Sequence, residues 1–425
     1  KKLNTMFILF VCLALIVNKV NGRAYDYCQA DLNVPNSEDT QGKTLIHVSI
    51  IHRHGDRTPY ASSPVTDGVA WDCQRGELTT SFDSRTQPFQ TVPNIFRTLF
   101  HNNQETLPGN CQIGQLTSVG VKQHTLLGRA FRKKYIDQLQ LLPPQFNASM
   151  MFLRATDFER TFASLRSNIA GLYPNIVANA AGSTIVDVHT RDKEHEYLLA
   201  GDGPGCPYYV DLWNQFQATS GKFNSVEANL SHLASLLSAA LGVSLDVDRL
   251  GQVRDHTLAR ACHSKPPYAG LTGNLFNSLN ANYTTRYYLK RATNDLKKFA
   301  IGPFFNNVIR IMKLVSKGQS PIRYAEYSGH DSSLVAVNAV LDVPQVWPPY
   351  TSYKMFELWR DDASGKLFVQ VLGDGEVLKP AVFAPLSSPM IPFDKFVTAL
   401  NPISINEDDW RSQCNIKSLT NSDEL

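Results

Sequence analysis

Apolar residues along this chain fall into two alternating rhythms. Residues 44–52 form a short apolar run, the pattern of a buried strand. Residues 117–136 instead carry Leu127, Phe131 and Tyr135 four apart, with Arg129, Lys133 and Lys134 largely elsewhere, which predicts a helix. A short apolar strand is predicted at 149–153. Behind it Phe158, Phe162, Leu165, Ile169 and Leu172 recur at spacings of four, three, four and three, a second helix that Pro174 stops. Thr156 and Glu159, three apart, predict a capping box at its start. A further strand is predicted at 184–188. Towards the C-terminus, Phe305, Val308, Ile309, Met312 and Val315 mark a helix, 321–326 a strand, and Leu334, Val337 and Leu341 another helix. Residues 353–359 and 367–372 predict a hairpin around Ser364 and Gly365.

Strands alternating with helices predict an α/β fold, with a mainly parallel sheet flanked by helices. Residues 191–301 interrupt that rhythm. They begin polar, continue in loosely amphipathic stretches such as 226–241, and lack strand alternation, so they predict a mostly helical cap inserted into the sheet domain. The expected division is a signal peptide at 1–22, a first α/β segment at 23–190, the cap at 191–301, a second α/β segment at 302–421 and a separate terminus at 422–425. Residues 60–115, rich in Pro, Gly, Thr and Asn, read as a long excursion rather than a domain.

The 425 residues are 43% hydrophobic and 19% charged, an ordinary globular balance. The formal net charge of +3 and the absence of a basic tract argue against nucleic acid as a partner. Lys1 and Lys2 precede an apolar run at 6–17, with small residues Gly22 and Ala24 beyond it, the form of a secretory leader. About twelve apolar residues are too few to span a bilayer comfortably, so no membrane span is expected in the mature chain. Cys12 falls in the leader. The other six, Cys28, Cys73, Cys111, Cys206, Cys262 and Cys414, suggest three disulfides. Six cysteines permit 15 connectivities; locality favours Cys73 with Cys111 and Cys206 with Cys262, and Cys28 with Cys414 would then tie the ends together. Sequons at Asn147, Asn229 and Asn282 fit glycosylation. The final Ser422-Asp423-Glu424-Leu425 is similar to a KDEL-type retrieval signal, which favours the ER lumen, with secretion as the alternative, and implies a KDEL-type receptor as partner.

The chemistry concentrates after the first strand, where Arg53, His54, Gly55, Asp56, Arg57, Thr58 and Pro59 follow one another. Gly55 allows the chain to turn and Pro59 fixes its exit. A guanidinium is permanently charged and its planar fork of donors matches phosphate oxygens. An imidazole between two such forks is placed to attack phosphorus; a surface charge cluster is the bland alternative. Arg154 and the pair His330-Asp331 also fall just beyond predicted strands. Ligands of open α/β sheets bind outside those strand ends, so three segments converge on one crevice. His52 and His54 alternate along a strand, but His52 reads as a packing residue rather than a metal ligand. His47 reads as a satisfied strand residue, and His189 as a candidate for the substrate wall. Gly201-Asp202-Gly203-Pro204-Gly205 lacks the context of a dinucleotide loop.

The ordered pattern RHGxRxP resembles the signature of the histidine acid phosphatase family, the high-molecular-weight branch of the histidine phosphatases, which includes prostatic-type acid phosphatases and phytases. Arg154-Ala155-Thr156-Asp157 with Arg160-Thr161 is similar to its second arginine segment, and Ser328-Gly329-His330-Asp331 to its HD segment. The resemblance runs from about Leu45 to Pro402. It implies a phosphoglycerate mutase-like core and a metal-independent acid phosphatase that needs no cofactor and works through a phosphohistidine. It implies His54 as nucleophile and Asp331 as general acid, with Arg53, Arg57, Arg154 and His330 binding the phosphate. The substrate is then a small phosphomonoester or a phosphorylated glycan. Asp56 stands where phytase-type motifs commonly carry a small residue, which favours less anionic esters. An inositol-polyphosphate or phytate phosphatase, an ER phosphosugar phosphatase and an inactive phosphate- or glycan-binding protein are the alternatives.

Overall fold

The computed structural model describes residues 19–20, 23–24, 26–73, 107–174, 186–203, 205–386 and 388–416. The apolar leader run, the terminus at 422–425 and residues 184–185 of one predicted strand lie outside them.

Strand β1 (Lys43–Arg53) is the predicted apolar run extended by a residue at each end. A bulge between Leu45 and His47 keeps Leu45, Val48 and Ile50 together on one face, while Ile46 and Ile51 face the other. Helix α1 (Ser118–Arg132) starts at Thr117, whose hydroxyl oxygen accepts the Gly120 N–H, and runs on through a wider π turn to Gln138. Strand β2 (Met151–Ala155) leads into α2 (Glu159–Leu172). The predicted capping box does not form. Phe158 is the N-cap, and the Thr156 hydroxyl bonds Thr161 and His330 instead. Of the strand expected at 184–188, the described residues 186–188 form no strand, and a single bridge to Arg154 follows at His189.

The insertion is helical in its described part: α3 (Pro207–Thr219), α4 (Gly221–Leu241), α5 (Leu250–Cys262) and α6 (Gly273–Leu289). Helix α7 (Asn294–Ser316) runs straight through residue 301, so the chain returns to the sheet domain along one continuous helix. Then come β3 (Tyr324–Gly329), α8 (Asp331–Leu341), the antiparallel pair β4 (Tyr353–Asp361) and β5 (Leu367–Gly373), β6 (Glu376–Leu378), β7 (Ile391–Pro392), α9 (Phe393–Leu400) and α10 (Glu407–Gln413).

The sheet order is β2-β3-β1-β4-β5-β6, with β7 also paired to β5. The three strands that carry the predicted site residues are parallel neighbours: Arg53 pairs with Gly329, and Ala155 with Ser328. Helices cover both faces. On one, α1 and α2 bury Leu127, Phe131, Leu165, Ile169 and Leu172 against Val48, Ile50 and Leu153. On the other, α7 and α8 bury Phe304, Phe305, Val308, Leu334 and Val337 against Ile51 and Phe356. The cap has its own core, in which Leu230, Leu237, Val253 and Leu279 meet Tyr27, Trp347 and Tyr350 from loops of the sheet domain. Each such fully buried side chain contributes about 1.5–3 kcal/mol.

The disulfides correct two of the three expected pairings. Cys73 does bond Cys111, but Cys28 bonds Cys262 and Cys206 bonds Cys414. Cys206 opens α3 against the sheet-domain core that also holds Cys414, whereas Cys262 closes α5 beside the cap core. Proximity in sequence did not carry over because three helices, α3, α4 and α5, separate those ends.

Candidate active site

The parallel register sends the ends of β1, β2 and β3 to one edge. His54 extends the ladder by one bond, its N–H donating to the Gly329 carbonyl at 3.0 Å. The backbone then turns against the first turn of α1. A Cβ on Gly55 would lie 2.6 Å from the Gly120 carbonyl oxygen, and one on Gly120 would lie 2.4 Å from that of Asp56. Two glycines in register thus let the motif pack flush on the helix. His330 and Asp331 open α8, with the His330 N–H donating to Ser333 Oγ at 3.0 Å.

His54 is buried, and its Nδ1 lies 2.8 Å from the Gly55 carbonyl oxygen. A carbonyl only accepts, so Nδ1 carries the proton and Nε2 the lone pair. Arg53 donates to the Pro348 carbonyl at 2.6 Å and to Tyr27 Oη at 3.0 Å, and its guanidinium lies over the Tyr350 ring at 4.3 Å. Its Nη2 is 3.1 Å from Asp331 Oδ2. Arg57 forms a fork with Asp255 of α5, at 3.2 and 2.9 Å. The His330 ring meets that of His54 edge-on at 5.7 Å. Arg160 Nη2 donates to His330 Nδ1 at 3.4 Å, which leaves Nε2–H of His330 to donate to Thr156 Oγ1 at 2.9 Å.

Electrostatics follow from this crowding of cations. Burial, and then the charges of Arg160, Arg53 and Arg57, hold His54 well below the usual histidine range. Burial and Arg160 do the same to His330. Burial and the neighbouring charge of Arg57 push the Arg160 guanidinium down to about 9. Asp331 goes the opposite way from what burial alone dictates. Arg53 and Arg57 outweigh the desolvation and hold its carboxyl at about 2.

Arg154 and Asp56 are placed differently from expectation. Arg154 Nη2 reaches both oxygens of Glu196, at 3.1 and 2.9 Å, and Glu196 also accepts the N–H groups of Leu198 and Leu199. The guanidinium brought against His330 is that of Arg160, in the first turn of α2. Arg160 stands in the quoted motif, but nothing in the pattern ranks it above Arg154; only the fold of the β2–α2 turn does. The Asp56 carboxylate accepts from Thr117 and pairs with His263 Nε2 at 2.7 Å, so it is occupied by the cap junction, and the substrate argument built on it lapses.

Of the other histidines, His52 and His47 take the expected packing roles. His52 donates to Glu326 at 2.8 Å, and His47 bonds the Ile322 carbonyl and Ser49. His189 stacks on Phe152 at 4.9 Å. Sequence reading also missed Asp255, Arg254 and Trp347, since nothing in a local pattern brings a cap helix to a strand end. Among the described residues no group of three His, Cys, Asp or Glu side chains could hold a metal ion, and no helix is long and apolar enough to cross a membrane.

Acid stability follows from the buried rings. Burial takes His47 to about 4, and burial with the nearby His52 holds His124 well below its usual value, as happens at His54 and His330. Unfolded histidine titrates near about 6.5. Below that pH the unfolded chain binds protons the folded chain refuses. The stability from these neutral rings is complete above the unfolded value and is lost as pH falls towards the folded ones. For His47 alone this amounts to roughly 3 kcal/mol once the pH reaches its folded value. The melting temperature is expected to be lower at about pH 4.5 than at about pH 7. A phosphate-free thermal scan checks this, and a flat or rising trend on acidification contradicts it.

The family profile of the histidine phosphatase superfamily (branch 2) matches residues 44–373. Counting factor 60 of Dictyostelium discoideum is 30% identical over 355 residues, 82% of this chain and 84% of that protein. Human lysophosphatidic acid phosphatase type 6 is 26% identical over 380 residues, 86% of this chain and 85% of its own. Lysosomal acid phosphatase of Xenopus laevis is 26% identical over 397 residues, 90% and 82% of the two chains. Among solved structures, the apo form of a Hafnia alvei phytase superposes with a TM-score of 0.57 at 15% identity, over 89% of this chain and 99% of that one. That last likeness concerns the fold.

Proposed function

The chain belongs to branch 2 of the histidine phosphatase superfamily and is a phosphoric monoester hydrolase of the acid phosphatase type, and on that premise we propose how its residues divide the work. His54 Nε2 attacks phosphorus while Arg53, Arg57 and Arg160 hold the non-bridging oxygens, and His330 adds a hydrogen bond by turning its Nε2–H from Thr156 to the phosphate. The bond to the leaving oxygen breaks as the N–P bond forms, and Asp331 gives that oxygen a proton. In the second step Asp331 takes a proton from the water that hydrolyses the phosphohistidine.

The observation that carries this reading is the commitment of His54 Nδ1 to the Gly55 carbonyl amid three guanidinium groups. It supports a ring that stays neutral, and so nucleophilic, in acid. Guanidinium charge does here what a metal ion does in other phosphoryl-transfer sites. A bound phosphate dianion cancels the charges that keep Asp331 ionised, raises its pKa and lets it serve as the acid. The test is release of phosphate from an aryl monoester at acid pH with chelator present. No release from folded protein sinks the reading.

The clamp role read for Arg154 passes to Arg160. Arg160→Ala is expected to lower kcat/KM by about 10²–10³-fold in a folded protein. Arg154→Ala strands Glu196 in the interior and is expected to cost about 3–5 kcal/mol of stability. Parallel kinetics and thermal melts separate the two; a catalytic loss confined to Arg154→Ala reverses the assignment.

Trp347 and Tyr283 beside Asp331 and Arg254 support a leaving group with an apolar or ring-shaped body, such as a lipid, aryl or sugar alcohol, over densely charged phytate. A substrate panel that includes phytate decides between them. The protein is one of the secretory pathway, as its acid phosphatase relatives and three disulfides indicate. ER retrieval through 422–425 and glycosylation, with Asn147 and Asn229 exposed, are part of the proposal.

A further inference from the structure

The proton donor is held from the cap side by groups the mechanism has not used. Asp331 Oδ1 accepts the N–H of Ser332 at 2.9 Å. Its Oδ2 accepts the indole N–H of Trp347 at 3.2 Å and faces Arg53 Nη2 at 3.1 Å. Each carboxylate oxygen offers two lone pairs. With one lone pair of Oδ2 taken by Trp347, the other points to where Arg53, and therefore the bound phosphate, sits.

Trp347 is itself gripped by the cap. The Arg254 guanidinium of α5 lies 3.9 Å from the centre of its ring, and Tyr287 of α6 packs at 4.9 Å. Arg254 is fixed in turn by a 2.8 Å bond from Nε to Asn280 of α6. Trp347, Arg254 and Asp331 therefore form one stack that joins two cap helices to the end of β3. A buried cation over an indole face is worth about 2 kcal/mol or more, enough to hold the ring in one orientation.

We propose that Trp347 is a positioning residue for the proton donor, its indole N–H fixing the plane of the Asp331 carboxyl so that the proton on Oδ2 meets the leaving oxygen, with Arg254 holding the indole in place. In the first step the electron pair of the breaking P–O bond stays on the leaving oxygen, which takes that proton and leaves Asp331 as carboxylate. Help from a well-placed acid matters most when the leaving group is a poor one. The stack thus suits the enzyme to alkyl monoesters, whose alkoxides leave badly, and adds little for nitrophenolate. This inference rests on Asp331 being the general acid.

The experiment measures kcat/KM for β-glycerophosphate and for p-nitrophenyl phosphate in wild type and in Trp347→Phe, which keeps an aromatic ring beneath Arg254 and removes the N–H. The ratio of alkyl to aryl activity is expected to fall about tenfold. Arg254→Met leaves the indole in place without its clamp and is expected to move the ratio in the same direction by less; it also decides the matter if Trp347→Phe melts early. An unchanged ratio, or equal losses on both esters, makes the stack merely structural and overturns the proposal. A wild type inactive on both esters overturns the phosphatase reading beneath it, which is a different result.

Discussion

Replacement of His54 by alanine is expected to abolish turnover, with a loss on the order of 10⁵-fold in kcat. A loss this large is expected because no second histidine among the described residues of the cluster has a free ring nitrogen. His330 Nδ1 accepts from Arg160 and its Nε2–H serves Thr156. His52 is spent on Glu326. The site keeps its cations, so the variant still binds phosphate and the defect falls on kcat more than on KM. The wild type, quenched during turnover, carries phosphate in a form stable to alkali and labile to acid, as an N–P bond requires; His54→Ala carries none. A variant that retains more than about a hundredth of wild-type turnover removes His54 from the nucleophile's role.

The second large effect is at Asp331. Asp331→Asn keeps the shape of the side chain and loses the transferable proton, so alkyl monoesters are expected to lose about 10²–10⁴-fold in kcat and aryl esters much less. The pH profile gives the sign. Only the protonated carboxyl serves the first step, so the wild-type rate falls as pH rises through the Asp331 pKa of the enzyme–substrate complex. In the free enzyme that pKa is about 2, set by Arg53 and Arg57 against burial, and bound phosphate moves it upward. Asp331→Asn should therefore flatten this limb of the profile. A variant that loses rate equally at all pH values and on both ester classes rules out proton donation.

His54 between its arginines, the HD pair and the apolar strands before them were all legible in the chain. A strand buried on both faces needs a continuous apolar run, and a motif that follows it must emerge at the strand's C-terminal end. The parallel pairing of β1, β2 and β3 then brings His54, His330 and Asp331 together with little further information. The helical character of the insertion was legible for the same kind of reason, since periodicity is local.

What needed the tertiary structure was every choice between chemically equal partners. Arg154 and Arg160 are six residues apart and alike in chemistry. Glu196, distant in sequence, takes the first, and the turn into α2 delivers the second to His330. Cys206 and Cys262 are neighbours in sequence yet belong to different cores, so their bonds go to Cys414 and Cys28. Asp56 looked like a substrate filter until His263 and Thr117 claimed it. Trp347 and Arg254 carry no motif, and only the docking of the cap sets them beside Asp331. Hydrophobic period and residue type act over a few positions, so they were enough to specify which groups can do chemistry and at which strand ends they emerge. The tertiary structure alone decided which charges stay available to a phosphate, because that depends on partners far away along the chain that become neighbours only when the cores close.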